Sequence, residues 1–217
     1  MKIAIMQPYF YPYLGYFHLI ASVDLFLIFD CVQFPRRGRV HRAPLPGANS
    51  WLTLPLARQP RDTLISDLRF SDEGHGAWAA RVEGLPWLRN APALRAALAS
   101  TRAGGVVDYL ETHLKIACDA LDIRTEMRRS SSYRMAPALR SQERVIALAK
   151  AAGATGYVNL PGGRALYDRD AFSAAGLELS FVPDYTGPVQ SLLHALATQP
   201  HAALRRELVT LTPPGAD

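Results

Sequence analysis

The sequence predicts an α/β protein: a mostly parallel sheet with flanking helices and a helical insertion. Three observations carry that class. Short apolar runs alternate with short helical runs along most of the chain. The first two apolar runs, Lys2–Met6 and Leu25–Phe29, enclose a proline-bounded loop and a short helix at Gly15–Ala21, which is a βαβ pattern. The length of 217 residues and a 49% hydrophobic content also suffice for a core. A chain of that size removes roughly 70% of its unfolded surface from water. One domain over residues 1–217 is expected, with the insertion at about 72–122.

The remaining elements follow in order. Gly38 to Asn49 is polar and punctuated by glycine and proline, so a loop or irregular hairpin is expected there. Trp51–Leu56 is a third strand candidate. Gly74–Glu83, Ala91–Ser100 and Val106–Leu121 are rich in Ala and Leu and read as helices, the second stopped by glycines within Thr101–Gly105. Alternation then returns: strand Ile123–Arg128, helix Ser141–Ala152, strand Thr155–Leu160, helix Asp168–Ala175 and strand Leu177–Val182. Gly153 and Gly176 close the two helices. The tail from Thr210 to Asp217 is expected to fray.

Composition narrows the function classes. No run approaches the ~20 apolar residues of a membrane span. The apolar stretch before Gln7 and Pro8 is too short for a secretory core. Cys31 and Cys118 have neither disulfide-framework nor metal-knuckle spacing. A reducing, cytoplasmic setting without a metal is expected. The net charge is +5, carried by 21 Arg against 3 Lys. Arg36, Arg37, Arg39, His41 and Arg42 form one cluster; Arg124, Arg128, Arg129 and Arg134 form another. Guanidinium forks suit phosphates and carboxylates. No aromatic-interleaved RNA motif accompanies them, so a small anionic ligand or an acidic protein partner is favoured over nucleic acid.

The densest motif runs from Gln7 to His18, with two prolines, four tyrosines and two phenylalanines directly after the first strand. A loop leaving a strand's C-terminal end faces the ligand crevice of an open α/β sheet. Tyr9 and Tyr13 could then stack on a ring of a ligand, or the segment could simply plug the end of the sheet.

The run Met6-Gln7-Pro8-Tyr9-Phe10, followed by Pro12-Tyr13-Leu14-Gly15-Tyr16-Phe17, resembles the WbqC-like family. Phe29-Asp30, Val32-Gln33-Phe34 and Trp51-Leu52-Thr53-Leu54-Pro55 fit it in order. So do Ser130-Ser131, Arg144, Gly153-Ala154, Tyr157, Pro161-Gly162-Gly163, Tyr167 and Phe172. The resemblance implies a cytoplasmic enzyme of surface-polysaccharide or natural-product biosynthesis. It would transfer glycine or another acyl group to an amino sugar or a carrier-linked acceptor. The chain departs from the family pattern at Asp30-Cys31, where two acids are common, and at Arg39-Val40-His41-Arg42, where aromatic-Ile-Asn-Arg is common.

These departures permit a Cys31 nucleophile with His41, the route that acyl transfer through a thioester would use. The Arg36–Arg42 cluster would supply the positive setting a reactive thiol needs; alternatively, Cys31 is a small buried hydrophobe. Asp30 could be a general base or could pair with Arg37 or Arg42. His18 is the other acid–base candidate, and the arginines around His41 would keep its ring neutral. Gln7, Tyr9, Tyr13, Gln33, Arg37, Arg42, Ser130, Ser131, Arg144, Gly162 and Gly163 are the candidate substrate-binding residues. Ser130–Ser132 with the neighbouring arginines would suit phosphate.

A weaker similarity is to nucleotidylyltransferases, a HUP-like fold. Tyr13-Leu14-Gly15-Tyr16 resembles their HxGH loop, with tyrosines in place of both histidines.

The expected function is acyl or aminoacyl transfer from a carrier-protein or coenzyme-A thioester to an amine of a nucleotide-linked sugar or related metabolite. The alternatives are a nucleotidylyltransferase-like enzyme and a non-catalytic module that binds a carrier protein or ligand. No tightly bound cofactor is expected. Phosphopantetheine or coenzyme A would enter as the donor, and an acyl or peptidyl carrier protein as the partner.

Overall fold

The apolar strands at the centre, KIAIM and LFLI, can be satisfied only by burial on both faces, and a parallel sheet with helices on each side provides that. In the computed structural model the sheet strands are β1 (Lys2–Met6), β2 (Leu25–Ile28), β5 (Glu126–Arg129), β6 (Gly156–Asn159) and β7 (Glu178–Phe181). Two more, β3 (Arg42–Pro44) and β4 (Trp51–Thr53), pair antiparallel as a separate hairpin. The structure describes residues 1–47, 49–100 and 105–211. The helix stop expected within Thr101–Gly105 falls mainly on residues 101–104, outside the described residues, as do residues 212–217 of the tail.

All five sheet strands run parallel, in the order β5-β2-β1-β6-β7. Counting sheet strands along the chain, this is 3-2-1-4-5, the order of a Rossmann or HUP-like half. Its topological switch point lies between β1 and β6. The fold class expected from the sequence therefore holds.

Side chains alternate between two cores, as the pleat requires. Ala4, Phe26, Ile28 and Val158 enter one cluster, with residues of α1 (Leu14–Ala21), α2 (Gly74–Glu83), α3 (Pro92–Ala99) and α4 (Val106–Leu121). Ile3, Ile5, Leu25, Leu27, Tyr157 and Leu179 enter the other, with residues of α5 (Ser141–Ala151) and α6 (Arg169–Ala174). Each such side chain fully buried contributes roughly 1.5–3 kcal/mol. Two helices without a counterpart in the sequence reading, α7 (Leu192–Thr198) and α8 (His201–Thr210), pack on α4, and α8 also meets α1.

Two local differences from the expected elements have physical reasons. Trp51–Leu56 yields only β4, outside the main sheet: its hairpin is flanked by Pro44 and Pro55, and proline has no N–H to continue a ladder. Strand β5 starts at Glu126 rather than Ile123 because the end of α4 turns through Asp122 in the left-handed region, φ 59°. The Ile123 N–H then caps Cys118 O at 2.9 Å. Among the described residues no helix is long and apolar enough to cross a membrane.

Candidate functional site

In a parallel sheet every strand ends on the same edge, so residues following β1, β2, β5 and β6 gather there. The register Ile28↔Arg129 sets the end of β2 beside the end of β5. It brings Asp30-Cys31 against Ser130-Ser131 across a hundred residues of chain. Arg129 is fixed on its other side by ion pairs to Asp108 at 2.6 Å and Glu111 at 2.7 Å, both on α4. The turn that follows then lays Ser130 under the end of β2.

Asp30 is 1% exposed and carries three accepted hydrogen bonds. Its Oδ1 accepts from Ser130 Oγ and from the Ser131 N–H, both at 2.9 Å, and its Oδ2 accepts from Ser131 Oγ at 2.6 Å. A buried carboxylate needs such partners, and here they are serines rather than Arg37 or Arg42. Ser130 Oγ also accepts from the backbone N–H groups of Asp30 and Cys31 at 3.2 and 3.3 Å. It stands 3.1 Å from Cys31 Sγ. Arg144 Nη1 also lies 3.5 Å from Sγ and donates to Cys31 O at 3.1 Å.

Cys31 is half-buried and opens on a cleft of about 540 Å³ lined by Gln7, Val32, Gln33, Asp62, Arg140, Ser141 and Arg144 among others. Of the residues singled out from sequence, Gln7, Cys31, Gln33 and Arg144 therefore share this cleft, and Asp30, Ser130 and Ser131 form its support. Gln33 also donates to Arg61 O at 2.7 Å. Asp62, Arg140 and Ser141 were missed. The only signal for Arg140 is its i, i+4 spacing from Arg144 at the start of α5. Ser141 takes a left-handed φ of 43°, uncommon for a non-glycine residue.

The other predicted residues lie elsewhere. His18, on α1, is buried and lines a different recess with Lys2, Asp24 and Val182; burial lowers its pKa. His41 lines another cleft with Phe34, Arg36 and Gln59, so the structure does not pair it with Cys31. Its pKa is lowered as expected, by burial first and by Arg42 second. The cation beside Cys31 comes from Arg144, not from the Arg36–Arg42 cluster. Arg42 braces that loop by donating to the carbonyls of Gly38 and Arg37, and its guanidinium lies 4.6 Å over the Trp51 ring. Arg37 is exposed.

Tyr9 packs on Tyr16, with ring centres 5.5 Å apart, and Tyr13 on Tyr185 at 5.8 Å. Burial raises both phenol pKa values and Arg39 opposes it. A side chain at Gly15 would meet the Tyr13 ring at 2.5 Å, so the aromatic turn requires glycine there. Gly163 has a similar reason, since a Cβ would stand 2.6 Å from Asn159 Nδ2, whereas Gly162 faces open space. Among the described residues no group of three or more His, Cys, Asp or Glu side chains could hold a metal.

The fold and site define a class: a parallel α/β protein with a cleft of mixed polar and apolar lining at its strand ends, built on a buried Asp–Ser pair. Residues 7–189 match the sequence profile of the WbqC-like protein family, and the chain belongs to that family. It is 29% identical over 202 residues to the uncharacterized protein Rv1507c of Mycobacterium tuberculosis, covering 86% of this chain and 83% of that one. No solved structure matches the chain.

Proposed function

We propose that the chain is a cytoplasmic acyl or aminoacyl transferase that carries the acyl group on Cys31. One observation carries the reading: Sγ lies within reach of both Ser130 Oγ, at 3.1 Å, and the Arg144 guanidinium, at 3.5 Å, with Ser130 in turn bonded to Asp30 at 2.9 Å. Such an order of groups supplies what a nucleophilic thiol needs without a histidine. The thiol proton passes to Ser130 Oγ, in place of one of its two long bonds from the backbone N–H groups, as the serine's own proton moves to Asp30 Oδ1. Arg144 faces the thiolate that results.

The thiolate attacks the carbonyl carbon of a carrier-protein or coenzyme-A thioester. The donor's carbon–sulfur bond breaks, and the donor thiol leaves with a proton returned along the same path. Gln7 and Gln33 line the cleft and offer amide donors to the carbonyl oxygen as it gains charge. An acceptor amine, on a nucleotide-linked sugar or related metabolite, then attacks the Cys31 thioester. An amide forms and the free thiol is restored.

Intact-protein mass spectrometry after incubation with a panel of acyl and aminoacyl thioesters, carrier-bound and free, tests this. The expected result is a mass increase that is absent in Cys31→Ala and discharged by amines. Ser130→Ala should slow its appearance by about a hundredfold. Thioester consumed in the presence of amine without an adduct would replace the covalent route by direct transfer. No consumption at all would overturn the reading.

The strand order favours one second reading, a nucleotidylyltransferase-like enzyme. It has less support from the tyrosines in place of the HxGH histidines. Tyr16 is fully buried with its hydroxyl donating to Gln7 O at 2.6 Å, and Tyr13 rests on Tyr185. Magnesium-dependent consumption of a nucleoside triphosphate would restore it.

A further inference from the structure

A second cleft, of about 640 Å³, lies between the segment ending at His41 and the segment Leu54–Gln59. The bridge Gln33↔Leu64 and the bond from the Phe34 N–H to Thr63 O run beside it. Gln33 belongs to the Cys31 cleft and Phe34 to this one, as alternation along an extended segment dictates. The walls are tied by main-chain bonds, from Leu54 N–H to His41 O at 2.7 Å and from Ala57 N–H to Arg69 O at 2.9 Å.

Two residues that line this cleft, His41 and Gln59, each carry a buried side-chain nitrogen, Nδ1 and Nε2, with no hydrogen-bond partner among the described residues. Groups of that kind are rare in a folded protein and call for a partner. Gln59 Nε2 is a donor only, and a neutral imidazole can carry its proton on Nδ1. Both are therefore suited to an acceptor. Arg36 and Arg58 line the same cleft. Arg36 uses one N–H on Gln59 O at 2.7 Å, which fixes that residue, and keeps four more. The His41 ring is steadied edge-on by Phe34, with centres 5.1 Å apart.

We infer that this cleft is a phosphate site, in which Gln59 and His41 donate to the oxygens of a phosphorylated ligand and Arg36 and Arg58 balance its charge. An acceptor-rich anion satisfies both nitrogens at once, and two guanidiniums match a dianion better than a single carboxylate. The inference stands apart from the chemistry at Cys31.

Titration of the full chain with inorganic phosphate, followed by heteronuclear NMR, tests it. The expected result is a saturable shift of the Gln59 side-chain amide signals, with acetate far weaker. Gln59→Leu and His41→Phe, the latter keeping the ring against Phe34, should each weaken phosphate by about tenfold. Cys31→Ser should leave phosphate affinity unchanged even where it abolishes acylation, so the two readings fail separately. Shifts confined to exposed arginines, equal response to acetate, or no Gln59 response up to about 10 mM phosphate would each overturn the site. The wild-type amide signal decides the matter even if a variant fails to fold.

Discussion

The aromatic segment after β1 and the polar turn after β2 leave the same edge of one sheet, and they are put together in opposite ways. The first is large, apolar and closed. Phe10, Tyr11, Tyr16 and Phe17 are all buried, and the Tyr11 hydroxyl is bonded to His113 Nδ1 at 2.7 Å. The second is small and polar, with a half-buried thiol opening on a cleft. A segment dense in tyrosine attracts a ligand-binding reading by its composition, yet most of its rings are spent on packing. Four short side chains, Asp30, Cys31, Ser130 and Ser131, hold the arrangement on which the transferase reading rests.

The largest test of that contrast is a cavity in the aromatic segment. Phe17→Ala removes a fully buried ring and should cost about 4 kcal/mol in urea unfolding. At temperatures where the variant stays folded, Cys31 acylation should proceed within a few-fold of the parent. Loss of acylation in a folded Phe17→Ala protein would show that the two regions are one site.

Asp30→Ala makes the opposite prediction. It leaves Ser130, Ser131 and a backbone N–H without their buried acceptor, at about 3 kcal/mol. It should also abolish acylation, since the proton path from Cys31 ends on Asp30. Restored acylation in the unpaired variant would remove the carboxylate from the mechanism.

How far this was legible in the sequence follows from the same residues. The apolar periodicity of β1, β2 and β6 and the glycines closing α5 and α6 are local signals, and they set the class of fold. Asp30 and Ser130 could each be singled out, one as an acid after an apolar strand and the other as a serine among arginines. Their pairing depends on the register of β2 with β5, which is set by a crossover of about a hundred residues and leaves no local mark. For the same reason Arg144 could be named but not placed against Cys31, and nothing local marks Asp62 or Arg140 as belonging to the cleft. His41 shows the converse: it is close to Cys31 in sequence, but the β3–β4 hairpin carries it into another cleft.

A pH experiment on one variant probes the closed region. His113 is buried among Phe10, Tyr11 and Tyr109, and burial lowers its pKa from 6.5 to about 4. The folded protein therefore takes up this proton only well below the pH at which the unfolded chain does. Stability from this group is complete above the unfolded pKa and falls as pH drops from 6.5 toward 4. Between about pH 6.5 and about pH 5 the loss should be about 2 kcal/mol, and His113→Gln should flatten that slope. An unchanged slope would place the acid sensitivity in other groups.

The smallest effect is the sharpest discriminator, because it touches the polar turn without opening it. Ser131→Ala deletes the 2.6 Å bond to Asp30 Oδ2 but keeps the Ser131 backbone N–H on Oδ1 and leaves Ser130 untouched. Ser131 is exposed, so water can replace its hydroxyl, and the stability cost should be about 1 kcal/mol or less. Its effect on acylation depends on what Asp30 does. If the carboxylate only props up the turn, the acylation rate should follow the small change in stability. If Asp30 receives the thiol proton through Ser130, losing one of its three hydrogen bonds should change the acylation rate by more than the change in stability accounts for. A rate that only follows stability would leave Asp30 as a brace and return the search for the base to the acceptor amine itself.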